Sequence, residues 1–215
     1  MKNFRITLKN RGNLFIIGLL GGVSSGKSTI GKMFEQLGAH VIDADQFVHQ
    51  ALRSPAVQKK IADLWGEHLV VDGEVKRKDL AKIVFSSDNG QALDQLENMV
   101  HPIVRRGIKA TLEKIGKSAE KKKVVLDVAL LWESGLYKVC DIMIFVDTPL
   151  SVRKERACKN RGWGAQEVSR REKFQGALES KKKMANFVIV NKGEMERTLK
   201  KVKKIWKYVE NQFTS

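Results

Sequence analysis

The stretch at residues 14–28, LFIIGLLGGVSSGKS, gives the strongest indication of the fold. Its first seven residues form a short apolar run that ends in glycines, which is typical of a buried strand in a parallel sheet. Its last eight residues match the pattern G-x-x-x-x-G-K-[ST] in full. Apolar side chains then recur at helical spacing at Ile30, Met33, Phe34 and Leu37, before Gly38. The sequence therefore predicts a strand, a glycine-rich loop and a helix in succession.

A loop of this kind binds phosphate groups. Its glycines let the backbone curl so that several N–H groups point into one concavity, and the following helix adds the positive end of its dipole. Lys27 can reach the β- and γ-phosphates of a nucleoside triphosphate, and the Ser28 hydroxyl can ligate Mg²⁺. The residues predicted to bind the nucleotide are Gly22, Val23, Ser24, Ser25, Gly26, Lys27, Ser28 and Thr29.

Apolar runs alternate with helical patterns along the rest of the chain. Residues 46–119 are mostly helical in pattern, with a turn at residues 71–74, and residues 150–184 are helical and rich in Arg and Lys. The further predicted strands are residues 41–42, 124–131, 142–146 and 187–190. A closing helix carries one apolar stripe of Met195, Leu199, Val202, Trp206, Val209 and Phe213. This alternation predicts an α/β fold, a parallel sheet flanked by helices.

The chain has 215 residues and a formal net charge of +16, a length that suits one domain. Residues 1–13 hold four basic and no acidic residues, and residues 181–215 are also strongly basic, so eleven of the sixteen charges lie at the two ends. The middle, which contains the loop, carries only +5, and this argues against nucleic acid as the main partner. The lysine runs at residues 181–183 and 200–204 are predicted to be solvated helix faces.

Two features exclude other classes of protein. Cys140 and Cys158 are the only cysteines, too few for a disulfide framework or a zinc cluster. A basic start before residues 14–20 imitates a secretory signal, but the apolar run is far shorter than the ~20 residues that span a bilayer. The glycine-rich loop also stands where a cleavage site would be. We therefore expect a protein that works in the cytoplasm, without a membrane partner.

Small-molecule kinases, GTPase switches and motor or nucleic-acid NTPases share such a loop. A switch needs the patterns D-x-x-G and [NT]-K-x-D. Residues 63–66, DLWG, match the first pattern inside a helical stretch, and residues 191–194, NKGE, have Glu where the second needs Asp. Both switch patterns are therefore poor matches. A motor NTPase would need a longer chain to couple hydrolysis to movement, so the kinase interpretation is favoured.

Asp43 and Asp45 support a kinase. They follow the predicted strand at residues 41–42, and parallel strands deliver their carboxyl ends to one crevice. A carboxylate there can orient a substrate hydroxyl and accept its proton as it attacks phosphorus. Either residue could instead cap the next helix. Asp127 ends a later apolar run, as an aspartate that holds Mg²⁺ through water would, or as a structural residue beside the loop would.

An ordered set of segments resembles the dephospho-CoA kinase family over roughly residues 14–193. The resemblance begins with residues 17–29, IGLLGGVSSGKST, followed by residues 41–45, VIDAD. The later segments are residues 77–85 (RKDLAKIVF), 96–102 (LENMVHP), 128–133 (VALLWE) and the positively charged stretch from residue 161 to residue 191.

The resemblance implies a P-loop NTPase-type kinase domain over residues 14–215, after a basic extension of residues 1–13. That domain would contain a helical substrate-binding insertion at about residues 50–115 and a lid region at about residues 150–184. It implies that the γ-phosphate of ATP is transferred to the ribose 3′-hydroxyl of dephospho-CoA, the final step of coenzyme A synthesis, with Mg²⁺ as cofactor.

The resemblance also implies roles for individual residues. Asp45 matches the family's proposed catalytic carboxylate, acting with Lys27, and Asp43 is its supporting neighbour on the substrate side. The other implied site residues are Arg77 and His101 on the substrate side and Arg156 and Arg161 in the lid, where guanidinium groups can clamp phosphate. His101 precedes a proline and could instead satisfy a helix end.

Three residues depart from the family's pattern: Ser24 replaces a usual Gly, Ala129 a Pro and Asn186 an Asp. Ser24 still offers its N–H, but a positive φ would be strained there. None of the three removes the loop lysine, the loop serine or the paired aspartates. Two alternatives stay open: another P-loop kinase acting on a nucleoside or nucleotide, and a nucleic-acid-binding NTPase that uses the basic ends.

Overall fold

The computed structural model describes residues 13–86, 90–173 and 175–214. No helix in these ranges is long and apolar enough to cross a membrane. The strands are β1 (Leu14–Leu20), β2 (His40–Asp43), β3 (Val70–Val71), β4 (Glu74–Val75), β5 (Lys122–Asp127), β6 (Ile142–Asp147) and β7 (Phe187–Val190). The helices are α1 (Lys27–Gln36), α2 (Ala44–Leu52), α3 (Pro55–Trp65), α4 (Arg77–Ser86), α5 (Gln91–Gly116), α6 (Leu150–Arg161), α7 (Ala165–Glu172), α8 (Leu178–Met184) and α9 (Met195–Thr214).

A five-stranded parallel sheet has the strand order β2-β5-β1-β6-β7. β1 is the central strand, and Ile17 is in register with Val125 of β5 on one side and with Ile142 of β6 on the other. β1 is almost entirely buried, which explains its continuous apolar sequence. The α/β fold with a parallel sheet that the sequence predicts is confirmed.

The described part of the chain divides into two compact units, and the first contains the sheet. Its core joins β1, α1, β5, β6 and α9 through side chains such as Leu19, Phe34 and Trp206. Phe34 and Leu19 are completely buried. Burial of a large apolar side chain stabilises a fold by about 1.5–3 kcal/mol, so this cluster holds β1 and α1, the two ends of the glycine-rich loop, in place.

The second unit is Ala44–Ala110, which contains α2, α3, α4, most of α5 and the antiparallel pair β3–β4. Asp72 and Gly73 join the two short strands with φ of +51° and +71°, as in a tight hairpin. The turn that the sequence predicts at residues 71–74 is confirmed. The hairpin itself was not predicted, because strands of two residues carry no alternating pattern. The predicted boundaries of the kinase domain, its insertion and its lid stay predictions.

The predicted strand at residues 124–131 is wrong at its carboxyl end. β5 runs from Lys122 to Asp127, and residues 129–135 form turns. Val128 and Leu131 are nonetheless buried, with 6% and 1% of their surface exposed. The apolar run therefore continues past the strand because the turn itself packs inward, and an apolar run by itself does not distinguish strand from buried turn.

Two further predictions about side chains need correction. The sequence pattern predicts Met195 in the apolar stripe of the closing helix, but this side chain is 58% exposed, because it begins α9 and the buried stripe starts further along. The lysine run predicts a solvated face at Lys181, but this side chain is 4% exposed and its Nζ lies 2.5 Å from a carboxylate oxygen of Glu133. A buried ammonium group needs such a partner, and the partner is remote in sequence.

Two predictions fall outside the described residues. The basic extension at residues 1–13 is described only at Asn13, whose side chain donates a hydrogen bond to the Ser118 carbonyl at 3.0 Å. The side chain of Phe213, predicted to end the apolar stripe, is not among those described.

Candidate active site

The glycine-rich loop leaves the end of β1 and enters α1 at Lys27, as the sequence predicts. Gly26 precedes the helix in a left-handed conformation with φ of +94°, and its carbonyl accepts the first helical bond from Ile30 N–H at 3.1 Å. The first N–H groups of a helix have no intrahelical acceptor, so they are available to an anion in front of them. The backbone of the loop and the amino end of α1 are therefore arranged as an anion-binding site requires.

Lys27 folds back onto the loop that it follows. Its Nζ donates hydrogen bonds to the carbonyls of Gly21 at 2.9 Å and Gly22 at 3.1 Å. The ammonium group therefore lies beside the loop backbone, at the point where a bound polyphosphate would need a cation. The position of Lys27 is compatible with the phosphate-binding role that the sequence motif predicts, and that role stays a prediction.

The loop is held in place through one carbonyl oxygen, that of Ser25. Ser25, which is 1% exposed, accepts hydrogen bonds at its carbonyl from Thr148 Oγ1 at 2.8 Å, Asn191 Nδ2 at 2.9 Å and Arg156 Nη1 at 3.3 Å. A Cβ at Gly26 would lie 2.4 Å from Asn191 Nδ2, so this position must be glycine for space as well as for φ. These three donors fix the loop conformation.

Sequence reasoning missed Thr148 and Asn191 as loop supports. The sequence places Asn191 in an imperfect match to the pattern [NT]-K-x-D and at the end of the stretch that resembles the dephospho-CoA kinase family, and neither indicates a loop support. Both residues directly follow strands of the parallel sheet, β6 and β7. Polar residues at the carboxyl ends of parallel strands collect at one edge of the sheet, and that rule could have found them.

The two predicted lid arginines have different surroundings. Arg156 of α6 donates to the carbonyls of Ser25 and Asn191, both at 3.3 Å, so it braces the loop. The Arg161 guanidinium lies 4.8 Å from the centre of the Trp163 ring, and that of Arg171 lies 4.0 Å from the same ring. Such cation–π contacts are worth about 0.5–1 kcal/mol at exposed sites, so they order this turn only modestly.

Arg153 is a second cationic residue at the loop, which the sequence did not single out. It lies on α6 and is 6% exposed, its Nε donates to the Thr148 carbonyl at 2.9 Å, and its Nη1 lies 3.5 Å from the Val23 carbonyl. The guanidinium forms an ion pair with Glu172, the last residue of α7. Burial of this guanidinium lowers the pKa of Arg153, and the charge of Asp147 opposes that shift.

Asp43 and Asp127 lie side by side at the ends of their strands. β2 and β5 pair in parallel, and the last matched residues of that register are Asp43 and Asp127. Matched residues of neighbouring parallel strands point to the same face of the sheet, so the two carboxylates share one face. Asp127 is 8% exposed. The sequence did not predict this pairing, since it depends on the sheet register.

The remaining predicted residues belong to the second unit, which begins at Ala44. Asp45 is the second residue of α2, two residues beyond the end of β2. Arg77 is the first residue of α4, and its Nη1 lies 3.2 Å from His49 Nδ1. His101 lies in α5 immediately before Pro102, and its pKa is lowered by burial and by the nearby charge of Arg105. The imidazole of His101 is therefore neutral at pH 7.

The loop between β1 and α1, the paired carboxylates at the ends of β2 and β5 and the strand order together define a P-loop kinase. A family model described as dephospho-CoA kinase matches residues 15–197. The chain belongs to the dephospho-CoA kinase family. The family resemblance that the sequence motifs predict is thus confirmed.

Curated relatives are similar in sequence to this chain over most of its length. A dephospho-CoA kinase of Aquifex aeolicus (strain VF5) is 39% identical over 193 residues, which are 88% of this chain and 95% of the relative. A dephospho-CoA kinase of Bacillus licheniformis is 38% identical over 186 residues, which are 85% of this chain and 90% of the relative.

Solved structures show the same fold. The crystal structure of TT1252 from Thermus thermophilus aligns with a TM-score of 0.72 and 31% identity, covering 90% of this chain and 96% of that one. A dephospho-CoA kinase from Campylobacter jejuni aligns with a TM-score of 0.60 and 23% identity, covering 91% of this chain and 97% of that one. A shikimate kinase from Acinetobacter baumannii aligns with a TM-score of 0.53 and 14% identity, covering 95% of this chain and 97% of that one. The fold is therefore shared with other P-loop kinases.

Proposed function

We propose that this chain is an ATP-dependent phosphotransferase that phosphorylates the ribose 3′-hydroxyl of dephospho-CoA. The observation that carries the proposal is the family match over residues 15–197, which includes an intact phosphate-binding loop. The role in coenzyme A synthesis and the cytoplasmic location are parts of the same proposal.

The loop binds the polyphosphate of ATP. Its backbone N–H groups and the amino end of α1 face the phosphates, and Lys27 supplies a positive charge. Thr148, Asn191 and Arg156 support this role because they hold the loop through the Ser25 carbonyl. A site that already has its binding conformation needs little reorganisation when charge develops in the transition state.

Asp45 orients the attacking hydroxyl and accepts its proton. The residue follows β2 by two positions, and β2 neighbours the strand that ends in Asp127. Asp43, which pairs with Asp127 across the sheet, lies two residues before Asp45 in the chain. A positioned general base contributes typically 10²–10⁴-fold to a rate. The reaction also requires that the hydroxyl oxygen be held close to the γ-phosphorus and aligned for attack.

The residues present suit a magnesium ion carried by ATP. Among the described residues no group of three or more His, Cys, Asp or Glu side chains could hold a metal by itself. The Ser28 hydroxyl at the start of α1 and the buried carboxylate of Asp127 are oxygen donors of the kind that Mg²⁺ prefers, with phosphate oxygens and water as its other ligands. When bound, the ion would neutralise charge that develops on the phosphates.

Arg77 and His101 contribute on the substrate side. Arg77 is a permanent cation suited to the phosphate groups of dephospho-CoA, and its contact with His49 limits its orientation. Neutral His101 can donate or accept a hydrogen bond without adding charge. Arg161, in the lid region, and Arg156 are assigned to the nucleotide side, and closure of that region would exclude water.

Replacement of Asp45 by Asn tests the catalytic assignment. Asp45→Asn keeps the size and hydrogen-bonding capacity of the side chain but loses its basicity, so we expect turnover to fall at least about a hundredfold while ATP affinity stays within about twofold. The measurements are steady-state phosphorylation of dephospho-CoA and calorimetric titration with ATP.

The matched control is Asp63→Asn, because Asp63 is an exposed aspartate in α3 of the same unit. That variant is expected to behave as wild type. Unchanged turnover of the Asp45 variant would remove Asp45 from the mechanism.

A substrate panel separates the proposal from its two alternatives. ATP consumption is measured with dephospho-CoA, with nucleosides and nucleotides, and with RNA or DNA. Stimulation by dephospho-CoA supports the proposal, stimulation by nucleosides or nucleotides alone would point to another P-loop kinase, and stimulation by nucleic acid alone would point to an NTPase of that class.

A further inference from the structure

The ion pair between Arg153 and Glu172 lies against the phosphate-binding loop. A Cβ placed on Gly22 would lie 2.6 Å from Arg153 Nη1 and 2.6 Å from a carboxylate oxygen of Glu172. Both charged groups therefore touch the same loop residue. Gly22 is also the residue whose carbonyl accepts a hydrogen bond from Lys27 Nζ at 3.1 Å.

Arg153 is built into its position. The residue is 6% exposed, and its Nε is held by the Thr148 carbonyl at 2.9 Å. Thr148 also donates to the Ser25 carbonyl at 2.8 Å, so the guanidinium and the loop share one support. An arginine held at its Nε can direct its terminal nitrogens to an anion, which here is the Glu172 carboxylate, and arginine binds carboxylate and phosphate with the same planar geometry.

Glu172 places a negative charge at a loop whose function is to bind negative charge. Its side chain is 17% exposed and comes from α7, while Arg153 comes from α6. A carboxylate in this position repels a polyphosphate and also neutralises the positive charge of Arg153, its ion-pair partner. The pair therefore lowers the net positive charge that Lys27 and Arg153 together would offer to a nucleotide.

We propose that Arg153 is a phosphate-binding residue of the ATP site and that Glu172 competes with the nucleotide for it. A bound polyphosphate takes over the terminal nitrogens of Arg153, and the carboxylate of Glu172 is displaced from the loop. Because Glu172 ends α7, this exchange links occupation of the loop to the position of that helix. The inference rests on the proposed binding of ATP by the loop.

The exchange predicts opposite effects for the two partners. Glu172→Gln removes the competing charge without changing side-chain size, so the Kd for ATP is expected to fall about three- to tenfold. Arg153→Gln removes a charge-assisted contact to phosphate, so the Kd is expected to rise about tenfold or more. The double variant should bind ATP only slightly more tightly than Arg153→Gln, because the part of the Glu172 effect that acts through Arg153 is then absent.

The experiment is calorimetric titration of the full chain with a non-hydrolysable ATP analogue and, separately, with adenosine. Adenosine has no phosphates, so its affinity should be the same in wild type and in both single variants. The matched control is Glu167→Gln, which breaks another ion pair of α7, with Arg171 at 2.7 Å, and should leave both affinities unchanged. Thermal unfolding of each variant checks that it is folded.

A purely structural ion pair gives a different result. In that case Glu172→Gln would weaken binding of the ATP analogue or leave it unchanged, and either result overturns the proposal whether or not the Arg153 variant folds. Phosphorylation of dephospho-CoA by the wild-type chain is measured alongside. A chain that binds the ATP analogue with the predicted pattern but does not phosphorylate dephospho-CoA would support the role of Arg153 and reject the proposed substrate.

Discussion

Ser24 adopts a φ of +58° in the phosphate-binding loop, a conformation that suits glycine. The sequence predicted strain there if φ were positive, and the structure has that sign. A left-handed conformation costs a residue with a Cβ about 1–2 kcal/mol, so this chain keeps a serine in its loop at the expense of stability.

Ser24→Gly is therefore expected to stabilise the protein. The relief of strain exceeds the entropy that glycine loses on folding, and the net gain is about 0.5–1 kcal/mol, or a rise in Tm of about 1–4 °C. The measurement is thermal unfolding followed by circular dichroism. Ser24→Ala keeps the Cβ and the strain, so it serves as the control and should not raise Tm. An equal gain in both variants would show that φ is not the cause.

Two helical glycines differ in what surrounds them. Gly107 of α5 approaches Phe47 of α2 so closely that a Cβ would lie 2.3 Å from a ring carbon. Gly31 of α1 has more room, since a Cβ there would lie 3.6 Å from Val41 and 3.8 Å from Leu19, at ordinary contact distance. The first glycine is needed for packing between helices, and the second is not.

Substitution by alanine should consequently have opposite effects at these two positions. Gly107→Ala forces the aromatic ring to move, and overpacking of this kind costs about 1–3 kcal/mol. Gly31→Ala gains helix propensity, up to about 1 kcal/mol, without a clash. Denaturant unfolding of both variants measures the two changes in free energy. A destabilised Gly31 variant together with an unaffected Gly107 variant would contradict this account of the packing.

The helices and strands show which elements a pattern can predict. β1, β6, β7 and α9 follow from apolar runs and stripes, although Val190 at the end of β7 is 52% exposed. The end of β5 does not follow, since the buried turn after Asp127 is as apolar as the strand. A regular strand or helix that buries apolar side chains is predictable from its pattern, whereas the point at which such an element passes into a buried turn is not.

For the molecule as a whole, the high net charge is separate from the phosphate site. Eleven of the sixteen net charges lie in the two terminal regions. The proposed site needs only a few placed cations, above all Lys27, whose Nζ lies 2.9 and 3.1 Å from the carbonyls of Gly21 and Gly22. Net charge of this kind affects solubility and nonspecific association more than it affects the fold.

Removal of residues 1–12 should therefore leave catalysis intact. Asn13, the first residue retained, contacts Ser118 through its side chain, and its carbonyl accepts a hydrogen bond from Lys122 N–H at 2.7 Å. β1 then begins at Leu14, so the sheet keeps its central strand. We expect kcat and the KM values for ATP and dephospho-CoA to stay within about twofold of the full chain. A large loss of turnover would assign residues 1–12 to the active site.

The strand, the glycine-rich loop that contains Lys27 and Ser28, the helix that follows and the family could all be predicted from the sequence. They follow from residues that are close together in the chain, where spacing alone limits the possible conformations. The pairing of Asp43 with Asp127 and the contacts of Asn191 with the Ser25 carbonyl and of Glu172 with Arg153 became visible only in the folded chain. Asn191 and Ser25 are 166 positions apart, and such contacts exist only once the sheet register has brought the strand ends together.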